Sequence, residues 1–212
     1  ALAEASSGEV ALHLDHVEDL LLLRHAADCG VHSVMIDASR LVYAANVAAT
    51  AAAVAWAHDR GIWTEAELGE VGGKDGAHAP GVRTDPAEAA AFVAATGVDA
   101  LAVAVGSSHA MTERTATLDL TLIAELRDRL DVPLVLHGSS GVSNDELRQA
   151  IGAGMVKINI GTLLNVSFTA RVRAELDASK AVVDPRRYLG PARQAVADVV
   201  AGVLTDLSRA WA

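Results

Sequence analysis

The sequence predicts an α/β fold of the (β/α)8-barrel type, and three observations carry that reading. Short apolar runs alternate six times with longer helical patterns, the signature of βα units around a parallel sheet. Polar residues of ligand-binding type follow every run. With 51% hydrophobic and 21% charged residues over 212 positions, the chain can bury a large core as one globular domain. The apolar runs occupy 10–14, 33–36, 64–68, 100–105, 134–136 and 156–160. Helical patterns lie at 19–29, 44–60, 86–96, 118–130 and 144–153, with two more at 163–178 and 191–209. Asp85-Pro86 with Glu88 reads as a helix start, and Gly30, Gly61, Gly97 and Gly154 read as helix stops. Neither a linker nor a low-complexity segment interrupts the pattern.

Charge and composition exclude several classes. A net charge of −10 without clustered Lys and Arg argues against a nucleic-acid surface, while a small anionic ligand held by local donors remains compatible. Cys29 is the single cysteine, so a disulfide framework and a Cys-based zinc site are both excluded, and a cytoplasmic location is expected. Residues 1–7 have neither a basic nor an apolar targeting region, and no apolar run approaches the ~20 residues of a membrane helix.

The six runs lead into Asp15-His16, Asp37-Ala38-Ser39, Glu67-Leu68-Gly69, Gly106-Ser107-Ser108-His109, His137-Gly138-Ser139-Ser140-Gly141 and Asn159-Ile160-Gly161-Thr162. Polar side chains therefore gather at one end of the sheet, where a barrel builds its active site. An open doubly wound sheet, which also binds ligands beyond its strand ends, is the structural alternative. Three strand-end imidazoles, His16, His109 and His137, would suffice for a catalytic zinc with one open position, although a strand-end His is also a common structural residue. The other histidines, His13, His25, His32, His58 and His78, read as structural or solvated, and alternation is expected to turn His13 away. Asp15 is the leading acid/base candidate, its rival role being a cap on local amides. Gly72-Gly73-Lys74-Asp75-Gly76 has the makings of a lid carrying a second acid. Residues 138–141 and 159–162 offer backbone N–H groups and hydroxyls suited to cradling a phosphate.

Six ordered motifs then resemble one family. Leu12-His13-Leu14-Asp15-His16, Ser33-Val34-Met35-Ile36-Asp37, Glu65-Ala66-Glu67-Leu68-Gly69, Gly106-Ser107-Ser108-His109, Leu136-His137-Gly138-Ser139-Ser140-Gly141 and Lys157-Ile158-Asn159-Ile160-Gly161-Thr162 are similar to those of the class II, metal-dependent fructose-bisphosphate and tagatose-bisphosphate aldolases. The resemblance implies a TIM barrel that reversibly cleaves a ketose bisphosphate into dihydroxyacetone phosphate and an aldehyde, with Zn2+ or another divalent metal stabilising the enediolate. By position it makes His16, His109 and His137 the metal ligands, with Glu67 as an alternative ligand. It makes Asp15 the residue that exchanges a proton with the aldehyde-derived oxygen. Ala110, Gly138, Ser139, Ser140, Asn159, Ile160, Gly161 and Thr162 fall at substrate-binding positions. A monovalent cation and a homo-oligomer, dimer or tetramer, also belong to the implied picture. No Schiff-base lysine is needed, and Lys157 is expected to face away from the site.

The chain departs from the family pattern at several places. Its lid has Asp75 alone after Lys74 where relatives carry adjacent acids, so either Asp75, with a shorter reach, or another acid is the proton-abstracting base. Val17, Ala110 and Ser139 stand where glycine is common. The matching region begins at the family's third strand. Two barrel strands are therefore unaccounted for, so the full polypeptide is expected to be longer or the chain to be a truncated product, and the alternative to an aldolase is a non-catalytic sugar-phosphate-binding barrel or an inactive truncated fragment.

Overall fold

The computed structural model describes residues 7–68, 81–108 and 111–210. Six strands, β1 (His13–Val17), β2 (Ser33–Ile36), β3 (Trp63–Glu67), β4 (Ala100–Ala102), β5 (Leu134–Leu136) and β6 (Met155–Ile158), form one parallel sheet in the order β1-β2-β3-β4-β5-β6. Strand order that simply follows the chain, with no reversal, rules out the doubly wound alternative, which needs a switch point. The sheet curls into a half-barrel. Its two edge strands approach each other through side chains on the concave face, with Lys157 Nζ of β6 lying 3.3 Å from His13 Nε2 of β1.

The helices α1 (Leu20–Asp28), α2 (Tyr43–His58), α3 (Pro86–Thr96), α4 (Leu120–Arg129), α5 (Asn144–Ala153), α6 (Thr162–Ala178) and α7 (Arg186–Ser208) occupy the intervening and C-terminal segments. Four of them start on a side-chain cap. Asp19 accepts from the Leu21 amide, Asp85 from Ala87 and Glu88, Asp119 from Leu122, and Ser143 from Glu146, each satisfying a donor the first turn leaves orphaned. The main core lies between the convex face and the helices, built on Phe92, Leu101, Val103, Ile123, Leu126, Leu134, Leu136 and Leu147. The concave face carries smaller apolar residues, Met35, Ala100, Ala102 and Val135, among polar ones. Two sets of inward residues on opposite sides of each strand follow from the two-residue period.

Several boundaries differ from expectation, among them β4, which ends at Ala102 rather than 105, and two others, at β1 and α7, have a clear cause. β1 runs through Asp15-His16 rather than stopping before it, whereas Val10 and Leu12 are exposed. The apolar run was not the strand, because pairing to β2 begins at His13↔Ser33 and shifts register between Leu14 and Val17. α7 starts at Arg186, so Pro191 lies inside it rather than at its start. No described helix is long and apolar enough to cross a membrane.

Candidate metal centre

A cavity of about 500 Å³ opens at the C-terminal ends of β1, β5 and β6. β1 contributes Asp15 and His16, adjacent residues that simple alternation would send to opposite faces. The chain avoids this by placing His16 at φ 51°, the left-handed region, which it alone among the described non-glycine residues occupies. Such a backbone costs a side-chain-bearing residue ~1–3 kcal/mol and clusters at functional sites. The expense, together with the register shift, brings both side chains to the cavity.

The orientation of His16 comes from β2. Its Nδ1 lies 2.7 Å from Asp37 Oδ2, and Asp37 Oδ1 accepts from the hydroxyl of Ser39 at 2.6 Å and from its amide at 3.2 Å. With Nδ1 bonded to a carboxylate, Nε2 is the nitrogen that would face a metal. The Asp37 hydrogen bond is the main cause of a His16 pKa raised above 6.5, against an opposing effect of burial. Burial also pushes the Asp37 carboxyl up, but His16 and Ser39 outweigh it and hold the group well below the usual range.

His137, at the end of β5, is fully buried. Nε2 lies 2.9 Å from Glu65 Oε1 and Nδ1 lies 3.9 Å from Glu67 Oε2. The ring packs edge-on against His16, 4.9 Å between centroids. Gly138 follows in a left-handed conformation, φ 66°, and the added Cβ of any other residue would sit 2.6 Å from the Ser108 carbonyl. Ser107 reinforces the same junction by donating to the His137 carbonyl at 2.6 Å.

Asp15, His16 and His137 each offer a ligand atom, all within 4.8 Å of one another. Two imidazoles and a carboxylate, with each imidazole's far nitrogen engaged by a second carboxylate, fit a divalent cation. Donors of this kind do not by themselves select zinc. The Asp15 carboxyl is lowered to about 2: burial raises it, but the facing His13 ring and the charges of His137, His16 and Lys157 prevail.

Of the residues expected at the site, Asp15, His16, His137, Gly138, Ser140, Asn159, Ile160, Gly161 and Thr162 line the cavity. Glu67 is buried at its border. Ser139 does not line it, because its hydroxyl turns back to donate to the Leu136 carbonyl at 3.1 Å. Ser140 Oγ accepts from the Leu163 amide at 3.0 Å, tying the β5 loop to the first turn of α6. His109, Ala110 and Asp75 lie outside the described residues.

Two expectations about facing do not hold. His13 lines the cavity with Asp15, its Nε2 3.6 Å from Asp15 Oδ1, because residues two apart on a strand share a face. Lys157 lines it for the same reason relative to Asn159. Asp37, Glu65, His13 and Lys157 were thus absent from the expected set. A carboxylate in mid-strand, as in Trp63-Thr64-Glu65-Ala66-Glu67, is the signal that could have found Glu65, since a buried charge requires a partner.

Comparison with known proteins supplies the family. The sequence model of class-II fructose-bisphosphate aldolase matches residues 1–210. The chain belongs to that family. It is accordingly a class II aldolase, a carbon–carbon lyase. Fructose-bisphosphate aldolase of Staphylococcus epidermidis is 42% identical over 199 residues, which is 93% of this chain and 70% of the relative. Among solved structures, the YdjI aldolase of Escherichia coli K12 superposes with a TM-score of 0.79 at 32% identity, over 98% of this chain and 70% of that one. Fructose-bisphosphate aldolase of Campylobacter jejuni gives the same TM-score at 22% identity, over 98% of this chain and 72% of that one, a likeness of fold alone.

Proposed function

We propose that this class II aldolase reversibly cleaves a ketose 1,6-bisphosphate, or a related ketose phosphate, to dihydroxyacetone phosphate and an aldehyde, using zinc held at the mouth of a TIM-type barrel. The observation that carries the reading is the convergence of Asp15, His16 and His137 in a cavity bordered by the N-terminus of α6. His16 and His137 would hold the metal together with His109, and Glu67 stands close enough to His137 to serve as an alternative ligand. When bound, the divalent cation supplies Lewis-acid polarisation of the substrate ketone.

The remaining roles belong to the chain itself. The left-handed turn at Gly138, the Ser140 hydroxyl and the start of α6 at Gly161-Thr162 offer N–H and O–H donors to the phosphate. Asp15, ionised at neutral pH, accepts the proton from the hydroxyl whose oxygen leaves on the aldehyde. Asn159 Nδ2 donates to Asp15 Oδ2 at 3.2 Å and fixes that carboxylate beside the reacting carbon. Asp75, from the glycine-rich loop, is the proposed base for the carbon-bound proton. A monovalent cation and a homo-oligomeric, cytoplasmic enzyme complete the reading.

Steady-state cleavage of fructose 1,6-bisphosphate, coupled to reduction of the dihydroxyacetone phosphate formed, tests it. Chelation should abolish turnover, zinc should restore it, and His137→Ala should not be rescued. Full activity after verified metal removal would refute the proposal, and calorimetric binding of dihydroxyacetone phosphate without turnover would reassign the chain as a sugar-phosphate-binding barrel.

A further inference from the structure

A charged chain runs from the cavity wall into the sheet, and two of its members, Glu65 and Lys157, have no role in the proposed mechanism. Glu65, on the concave side of β3, is fully buried, and both of its carboxylate oxygens are engaged. Oε1 is 2.9 Å from His137 Nε2, and Oε2 accepts from Lys157 Nζ at 2.6 Å. Lys157 also lies 3.3 Å from His13 Nε2, and His13 Nδ1 is 2.8 Å from the Ser33 hydroxyl. Glu65, His137 and Lys157 therefore join β3, the end of β5 and β6 in one hydrogen-bonded line, which His13 and Ser33 extend to β1 and β2.

The chemistry of the three groups allows that line only one polarity. An ammonium can only donate and a carboxylate can only accept. His137 Nε2 must then carry the proton that points at Glu65, which leaves the lone pair on Nδ1, the nitrogen on the Glu67 side of the ring. The rival arrangement has Nε2 accepting from the Asn159 amide, which lies 3.1 Å away. It would set a lone pair of Nε2 against the charged Oε1 at 2.9 Å and is excluded by that repulsion. One of the two Asn159 Nδ2 hydrogens goes to Asp15 Oδ2, at 3.2 Å.

We infer that Glu65 is a positioning residue that holds His137 in the tautomer able to coordinate through Nδ1, with Lys157 paired to its other carboxylate oxygen. The inference rests on the metal reading above. It makes a sign-reversing prediction. In Glu65→Gln, Lys157 still demands an acceptor, so the amide oxygen stays with Lys157 and the amide nitrogen is turned onto His137 Nε2. That forces Nε2 to accept and moves the ring proton to Nδ1. Adding Lys157→Met removes the demand, lets the amide rotate and returns an acceptor to Nε2. The second substitution should therefore repair the first.

Two measurements on the 212-residue chain decide this. Cobalt(II) affinity, read from the visible absorption of the bound ion in competition with a chelator, should fall about 10- to 100-fold in Glu65→Gln. It should recover most of that loss in Glu65→Gln/Lys157→Met. Nitrogen-15 NMR of the metal-free imidazoles should show His137 protonated on Nε2 in the parent and on Nδ1 in Glu65→Gln. Unchanged cobalt affinity in Glu65→Gln, or a double variant no better than the single one, overturns the inference, since a merely structural role makes the two losses add. A parent His137 protonated on Nδ1 overturns it without any variant, should Glu65→Gln fail to fold. A parent that takes up no cobalt overturns the metal reading itself and is distinguished from these outcomes by the NMR result.

Discussion

Gly138→Ala is the substitution for which the structure gives the most direct magnitude. The residue sits at φ 66°, where a Cβ is sterically opposed at a cost of ~1–2 kcal/mol. That Cβ would also stand 2.6 Å from the Ser108 carbonyl carbon and oxygen and 2.9 Å from its nitrogen. All three are backbone atoms, so no rotamer change relieves the contact, and shifting a packed segment adds ~1–3 kcal/mol. The total is ~2–5 kcal/mol, which lowers the melting temperature of a chain this size by ~4–20 °C. The control is Gly152→Ala. That glycine lies within α5 with nothing inside 4 Å of the new Cβ, and alanine there should stabilise the helix by up to ~1 kcal/mol. Thermal and urea unfolding of chelator-treated protein, followed by circular dichroism, read both effects. The reasoning fails if Gly138→Ala melts within ~2 °C of the parent or if Gly152→Ala is as damaging. Because Gly138 joins His137 to the turn proposed to hold the phosphate, the same variant should also lose metal affinity.

Three further outcomes follow from the site. Asp37→Asn should weaken metal binding by ~10–100-fold in a chelator competition, because Ser39 retains the side-chain oxygen and the new amide nitrogen faces His16 Nδ1; affinity equal to the parent would remove Asp37 from the orientation of His16. Asp15→Asn should lower kcat by ~10²–10⁴-fold with a much smaller loss of metal, and steady-state kinetics beside a metal titration separate those two effects. A variant that turns over like the parent would take Asp15 out of proton transfer. In the metal-free chain, the raised pKa of His16 contributes stability that is complete below 6.5 and disappears as pH rises through its folded value. The lowered pKa of Asp15 contributes stability that is present above 3.8 and lost as pH falls toward about 2. With the Asp15 side chain 43% exposed, solvent screening reduces its share to ~1 kcal/mol. Urea unfolding against pH should therefore peak between these limits, and a steady gain in stability above neutrality would contradict the His16 assignment.

The fold was legible where local chemistry writes a boundary. The strands Ser33–Ile36 and Leu134–Leu136 and the helices Pro86–Thr96 and Asn144–Ala153 fall where the sequence predicts them. Both helices are announced by a capping Asp or Ser and closed by a glycine, signals that lie within a few residues of each other. β1 was misplaced because its apolar run, Val10 to Leu14, is not what pairs. Its position is decided by hydrogen bonding to β2 and by a bulge at Asp15-His16, and neither leaves a mark in hydropathy.

The same division separates the two halves of the site. Groups proposed as ligands and cradle residues sit at the C-terminal ends of strands, so an ordered list of strand ends was enough to find Asp15, His16, His137 and Asn159. The carboxylates that aim the imidazoles belong to other strands, 21 residues from His16 in the case of Asp37 and 72 from His137 in the case of Glu65. A periodicity read along one strand cannot report such a pairing, and inter-strand register decides it. Register is nonetheless what converts two histidines that merely lie near each other into donors with defined coordinating nitrogens. In an imidazole centre the identity of the ligands is thus a local property of sequence, while their tautomers are a property of the assembled sheet. Asp37 and Glu65 are accordingly where substitutions should change metal affinity without touching a ligand.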